Sequence, residues 1–235
     1  MNALVVTPTY NERDNLPLLA AGVLAHEGFR MLVVDDGSPD GTGAVGEALA
    51  QKYPGRIEVM HRTGPRGLGR SYVDGLKRAL QTDAELICQM DADLSHGPEY
   101  LPALAAAASE FDLVIGSRYL YGGVSVVNWP LHRIFLSAFA NRYIKAVTAL
   151  SPTDCTSGYR CWRRETLAKL PLDRFVSDGY AFLIEMLFEA TRHGAHVGEV
   201  PIIFVERRQG QSKVSAPVLI ESLITPWRLK LRRRK

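Results

Sequence analysis

Met31-Leu32-Val33-Val34-Asp35-Asp36-Gly37-Ser38-Pro39-Asp40-Gly41-Thr42 is the stretch on which the fold turns. Four apolar residues run into two carboxylates and a loop of Gly, Ser and Pro, and a helical pattern over 41–53 follows. A short apolar run bounded by turn residues fits a strand buried on both faces, as in a parallel sheet. Strand, loop and helix in that order make half of a βαβ unit.

The same rhythm extends both ways. Residues 3–7 precede a helical pattern over 14–26, 57–61 precede 68–80, 85–90 precede 98–109, and 112–117 close the series. This alternation predicts an α/β fold with a mostly parallel, doubly wound sheet in a single domain. Beyond it come a loop at 118–130, a helix at 131–150, a loop at 151–158, a helix at 178–193 and a strand at 196–205. The predicted domain covers 1–215, and 216–235 form a basic amphipathic segment.

With 46% hydrophobic and 23% charged residues among 235, disorder, collagen and coiled coil are excluded. Cys88, Cys155 and Cys161 have no C-x-x-C spacing, which argues for reduced thiols and against a zinc site. No signal peptide is expected, nor a spanning segment, since no apolar run reaches ~20 residues. The net charge of +3 is uneven: the residues from Glu206 onward carry +7 and those before it −4. No nucleic-acid partner is therefore expected.

Ligands of open α/β sheets bind beyond the carboxyl ends of the strands. Three acidic groups fall at such ends: Glu12 after the first strand, Asp35 and Asp36 after the second, Asp91 and Asp93 after the fourth. In an extended Asp-x-Asp both side chains point one way. Two hard-oxygen groups so placed suit Mg²⁺ or Mn²⁺ bridging a diphosphate. Two other patterns fail. Asp36, Ser38, Asp40, Gly41 and Glu47 have the spacing of an EF-hand loop, but a strand enters it where a helix is required. Gly64-Pro65-Arg66-Gly67-Leu68-Gly69 lacks the third glycine of a dinucleotide-binding turn.

Taken together, Val6-Thr7-Pro8-Thr9-Tyr10-Asn11-Glu12, Val33-Val34-Asp35-Asp36-Gly37-Ser38-Pro39-Asp40-Gly41-Thr42 and Asp91-Ala92-Asp93-Leu94-Ser95-His96 resemble a family-2 glycosyltransferase with the GT-A fold. Gly67-Leu68-Gly69 before Tyr72, Gly116-Ser117-Arg118-Tyr119, Gly198-Glu199-Val200-Pro201-Ile202 and Phe204-x-x-Arg207-x-x-Gly210-x-Ser212-Lys213 narrow the resemblance to the polyprenol-phosphate (dolichol-phosphate) mannose synthases. It covers about residues 3–215. It implies transfer of mannose from GDP-mannose to a polyprenyl or dolichyl monophosphate, with inversion, in a metal-dependent reaction using Mg²⁺ or Mn²⁺.

By similarity Pro8, Tyr10, Glu12, Val34 and Asp36 hold the guanosine, Asp91 and Asp93 the metal, and Asp91, Ala92, Asp93 and Arg118 the rest of the nucleotide sugar. Ser95 stands where some members place a Gln ligand. Arg207 and Lys213 close over the phosphates, while Arg118, Arg133 and Ser137 receive the lipid phosphate. Asp91, Asp93 and Arg118 are the expected catalytic set. The alternatives are transfer from UDP-glucose or another UDP-hexose and, from a different class, a non-catalytic nucleotide-binding module.

Leu219, Ile220, Leu223, Ile224, Trp227 and Leu231 recur at helical spacing before a basic end, with Pro226 expected to kink or divide the helix. Such a stripe predicts a helix lying on an anionic membrane surface. The expected location is the cytoplasmic face of a membrane, peripherally bound, with a separate membrane-anchoring subunit as an optional partner.

Overall fold

The computed structural model describes residues 2–120, 123–175, 177, 179–206 and 216–232. The elements are β1 (Ala3–Thr9), α1 (Leu16–Leu24), β2 (Phe29–Asp35), α2 (Thr42–Lys52), β3 (Ile57–His61), α3 (Leu68–Ala79), β4 (Leu86–Gln89), α4 (Leu101–Ala107) and β5 (Leu113–Ser117). Then come β6 (Val126–Val127), α5 (Leu131–Thr148), β7 (Arg160–Arg163), α6 (Arg164–Leu167), α7 (Gly179–Arg192), β8 (Val197–Pro201), β9 (Phe204–Val205) and α8 (Ala216–Arg232).

Seven strands form one sheet in the order β3-β2-β1-β4-β7-β5-β8. All its pairings are parallel except those of β7, which runs antiparallel to β4 and β5. A small second sheet pairs β6 with β9. The two-residue period of a strand divides the core. Leu4 and Val6 of β1 pack with Tyr72, Leu76 and Phe182 from α3 and α7. Ala3 and Val5 pack with Leu16, Leu19, Leu101 and Leu104 from α1 and α4. Each large side chain fully buried in this way contributes about 1.5–3 kcal/mol. Gly75 lets α3 sit close on the sheet, for a Cβ there would lie 2.6 Å from Val6 and 2.7 Å from Val34.

The sequence reading and the structure differ in three places. The strand expected at 196–205 is two strands, β8 and β9, in different sheets. The reversed strand β7 and the two-residue β6 were not expected. Arg160-Cys161-Trp162-Arg163 is short and begins and ends on a charge, so no apolar run marks it. Finally, α8 is one helix that continues through Pro226 instead of dividing there. It packs against α5 and α7, burying Thr225 and Leu229 and accepting a hydrogen bond at the Leu223 carbonyl from the Tyr143 hydroxyl at 2.7 Å. Among the described residues no helix is long and apolar enough to cross a membrane.

Because β7 is reversed, its N-terminal end lies at the carboxyl edge of the parallel strands. The loop before β7 therefore joins the loops after β1, β2, β4 and β5 on one edge.

Candidate active site

These loops enclose a cleft of about 580 Å³. Pro8, Tyr10, Glu12 and Asp36 line it, with Asp91, Ala92 and Asp93 from the end of β4 and Arg118 and Arg133 from beyond β5. Nine of the expected site residues thus meet in one place. Val34 and Ser137 do not line the cleft. Val34 is fully buried on the α3 side of β2, where Gly75 fits against it. Ser137 sits one helical turn beyond Arg133 and is half-buried. Arg207 and Lys213 lie outside the described residues. A smaller cavity of about 320 Å³, lined by Pro171, Arg174, Phe175, Glu185, Glu189 and Arg192, shares no residue with the cleft.

On the β1–β2 side the carboxylates are tied into tight turns. Asp35 Oδ1 accepts from the Ser38 hydroxyl at 2.6 Å. Asp40 Oδ1 accepts from the Thr42 hydroxyl at 2.6 Å and its amide at 3.0 Å. Burial raises the Asp40 carboxyl, but the bonds from Thr42 and Arg13 outweigh it and leave its pKa below the usual value. Asp36 pairs with buried Arg62 and accepts from the Gly67 amide at 2.9 Å. The residues spaced like a calcium loop are thus committed to turns and an ion pair. Tyr10 accepts at its hydroxyl from Arg66, whose guanidinium lies 5.0 Å from the ring centroid. Arg66 belongs to the turn set aside as a failed dinucleotide motif; only its position after β3 could have drawn attention to it.

At the end of β4, Asp93 Oδ1 accepts from the Ser95 hydroxyl at 2.5 Å and its amide at 3.1 Å. Leu94, between them, takes the left-handed conformation at φ 62°, an uncommon state for a non-glycine residue. Asp91 Oδ1 accepts from the Tyr72 hydroxyl at 2.7 Å, and Tyr72 is fully buried and stacked on Phe182. His96 stacks on Tyr159 at 4.9 Å, and its Nδ1 accepts from the Asp91 amide at 3.2 Å. Burial holds its pKa below the usual histidine value, against the pull of Asp91 and Asp93, so the ring stays neutral there.

Two carboxylates with hard oxygens suit a divalent cation such as Mg²⁺, which keeps several of its ligands as water or substrate phosphate. Among the described residues no group of three or more His, Cys, Asp or Glu side chains gathers for a metal. Asp91 and Asp93 therefore fit a cation that a diphosphate and water complete.

The opposite side is cationic. Arg118 is buried and makes a bidentate pair with Asp154, Nε to Oδ2 and Nη2 to Oδ1, both at 2.7 Å. Burial alone would raise the Asp154 carboxyl, but the Arg118 charge and hydrogen bonds prevail and lower it. Glu199 in turn accepts from the Thr153 and Asp154 amides at 2.8 and 3.0 Å. Arg133 lies 4.1 Å over the Trp129 ring and donates to Glu206 at 2.7 Å. Nothing in the sequence marks Asp154, Trp129 or Glu206 for this site.

The comparisons agree with this geometry. The family model described as Glycosyl transferase family 2 matches residues 4–170. The polyprenol monophosphomannose synthase of Mycolicibacterium smegmatis is 46% identical over 228 residues, covering 95% of this chain and 86% of that protein. The undecaprenyl-phosphate mannosyltransferase of Micrococcus luteus is 42% identical over 235 residues, covering 99% and 96%. Two solved structures show the same fold at low identity. One is glucosyl-3-phosphoglycerate synthase from Mycobacterium tuberculosis with Mn²⁺, UDP and glucosyl-3-phosphoglycerate (TM-score 0.69, 17% identity, 97% and 79% coverage). The other is mannosyl-3-phosphoglycerate synthase from Rubrobacter xylanophilus (TM-score 0.65, 19% identity, 99% and 74% coverage). A mostly parallel sheet with acidic strand ends facing one cleft, and a family model spanning most of that sheet, lead to one statement: this chain belongs to glycosyl transferase family 2.

Proposed function

We propose that this enzyme transfers mannose from GDP-mannose to a polyprenyl monophosphate, with inversion and with Mg²⁺ or Mn²⁺. The observation that carries the reading is the meeting of Asp91 and Asp93 with Arg118 and Arg133 in one cleft. A cation-bridged diphosphate accounts for the first pair, and a second anion for Arg118 and Arg133. The names of the two close relatives support a polyprenyl-phosphate acceptor and mannose.

In this reading Pro8, Tyr10, Glu12 and Asp36 receive the guanosine, with Arg66 held on Tyr10. Val34 supports the β2 loop from the core. Asp91 and Asp93 hold the cation and diphosphate, with Ala92 between them and Arg207 and Lys213 as further phosphate contacts. When bound, the cation offsets the charge gathering on the departing GDP. Ser95 acts by holding Asp93 rather than as a ligand. Arg118, Arg133 and Ser137 form the acceptor side. A phosphate monoester carries about −1.5 to −2 charge at neutral pH and is already a nucleophile. Its oxygen forms a bond to the anomeric carbon as the bond to GDP breaks on the opposite face, and no proton need move. The task left to Arg118 and Arg133 is to bring one anion up to another.

Membrane attachment belongs to the same reading. On α5, Leu131, Phe135, Leu136 and Phe139 are 54–72% exposed, and on adjacent α8, Leu223, Ile224, Trp227 and Leu231 are 43–60% exposed. Exposed apolar side chains on two packed helices, with Arg142 and Arg228 also exposed, suit an anionic lipid surface. This joins the α8 stripe to α5 and supports peripheral attachment to a membrane, with which an anchoring subunit is compatible. The decisive assay offers radiolabelled GDP-mannose or UDP-glucose with a short polyprenyl phosphate and Mg²⁺ or Mn²⁺. Mannolipid from GDP-mannose is expected; glucolipid alone overturns the donor, and no lipid product with either overturns the reaction.

A further inference from the structure

Arg118 and Arg133 are both paired with carboxylates, but the two pairs differ in how easily they part. Asp154 is completely buried and takes three hydrogen bonds from Arg118, two from the guanidinium and one from the amide at 3.1 Å. Separating it would strand a carboxylate with no water to receive it. Glu206 makes a single bond to Arg133, and its side chain is 36% exposed. Water can take up such a carboxylate at little cost.

The surroundings of Arg133 suit a change of partner. Trp129, itself edge-on to Phe204 at 5.4 Å, supports the guanidinium from one face. The planar group can therefore hold its place while the anion changes. The Glu206 amide donates to the Val127 carbonyl at 3.2 Å at the end of the β6–β9 ladder, which tethers the displaced side chain close by. A phosphate monoester carries more charge than a carboxylate and matches the arginine fork.

We propose that Glu206 is a placeholder for the acceptor phosphate: its carboxylate occupies Arg133 until the phosphate exchanges for it, while Arg118 keeps Asp154 throughout. This rests on the acceptor role proposed above for Arg133. The exchange lowers the apparent affinity for every phosphate ester bound there. The lipid product, a phosphodiester with one charge fewer, leaves as Glu206 returns to Arg133.

The test uses geranyl phosphate as a soluble acceptor with Glu206→Gln, Arg133→Ala and the double variant. Glu206→Gln is expected to lower the acceptor KM about two- to fivefold, the range of an exposed ion pair, and to lower the inhibition constant of the mannosyl geranyl phosphate product by the same factor. Arg133→Ala is expected to raise KM, and in that background Glu206→Gln should change nothing. If Arg133→Ala raises KM but Glu206→Gln does not lower it, the placeholder is wrong and the acceptor site stands. The same gain with Arg133 absent shows a general charge effect and also overturns the placeholder. An unchanged KM in Arg133→Ala takes down the acceptor reading and the placeholder together.

Discussion

The two sides of the cleft are built in opposite ways. On the β1–β4 side Asp35, Asp40 and Asp93 are oriented by Ser38, Thr42 and Ser95, two or three residues further along the chain, while Asp36 and Asp91 are held from 26 and 19 residues away by Arg62 and Tyr72. On the arginine side Arg118 depends on Asp154 at a separation of 36, the loop carrying Asp154 on Glu199 at 45, and Arg133 on Glu206 at 73. The first side is built mainly on local turns, with Asp36 and Asp91 tied across shorter separations. The second exists only when distant segments have docked. Damage should therefore stay local on one side and spread on the other.

Asp154→Asn tests the spreading side and should have the largest effect. It leaves the Arg118 charge buried without a counter-charge, which costs about 3–5 kcal/mol. Urea unfolding measures it. The folded Asp154 carboxyl lies below its unfolded value of about 3.9. The pair's contribution is thus complete above that pH and is lost as pH falls through the folded value. The acid limb of the stability curve should be shallower in Asp154→Asn than in the wild type.

Asp93→Ala comes next. Losing one of the two carboxylates proposed to hold the cation should cost roughly 10²-fold or more in turnover, with the unfolding midpoint nearly unchanged, because the turn is local. Full activity of this variant in excess EDTA would remove the metal assignment.

Ser95→Ala sharpens the contrast further. It deletes one hydroxyl bond to Asp93 and should cost about 1 kcal/mol, seen as weaker Mn²⁺ binding to the GDP complex by electron paramagnetic resonance. A loss of overall stability as large as that of Asp154→Asn would erase the distinction between the two sides.

Trp227→Ser should have the mildest effect on catalysis, because its side chain is half exposed on α8 and away from the cleft. Sedimentation with anionic liposomes should weaken while transfer to a detergent-dispersed acceptor persists. Removing everything after Ser215, by contrast, would strip Leu229 from the core, so loss of liposome binding in such a truncation says nothing about membrane contact.

The same contrast explains what could be read from the sequence. Asp91-Ala92-Asp93-Leu94-Ser95-His96 was legible because the turn that orients Asp93 is made by its own neighbours, although Asp91 also takes a bond from Tyr72. The alternation of apolar runs and helical patterns located β1 to β5 for the same reason. Arg118 stood out by following a strand, but nothing near it marks Asp154 as its partner. The resemblance brought Val34 along by alignment, while strand parity turns its side chain to α3 and away from the cleft. Glu206 occupies an open position of the Phe204-x-x-Arg207 motif, and the ion pair it makes requires α5 to be folded against it. β7 gave no signal, because strands inserted between others need only a few residues to pair on both edges.

That inserted strand also sets an order of events during synthesis. β1 to β4 can assemble their parallel pairings as soon as Gln89 has emerged. The outer edge of β4, with apolar Ile87 and Cys88, must then wait for Cys161 and Trp162 to arrive from far down the chain. For that interval the nascent domain presents an open, apolar strand edge to its surroundings, the kind of surface on which chains pair with one another. The strand that delivers the Asp154 loop to the cleft is thus also the one that ends the period of greatest exposure to aggregation.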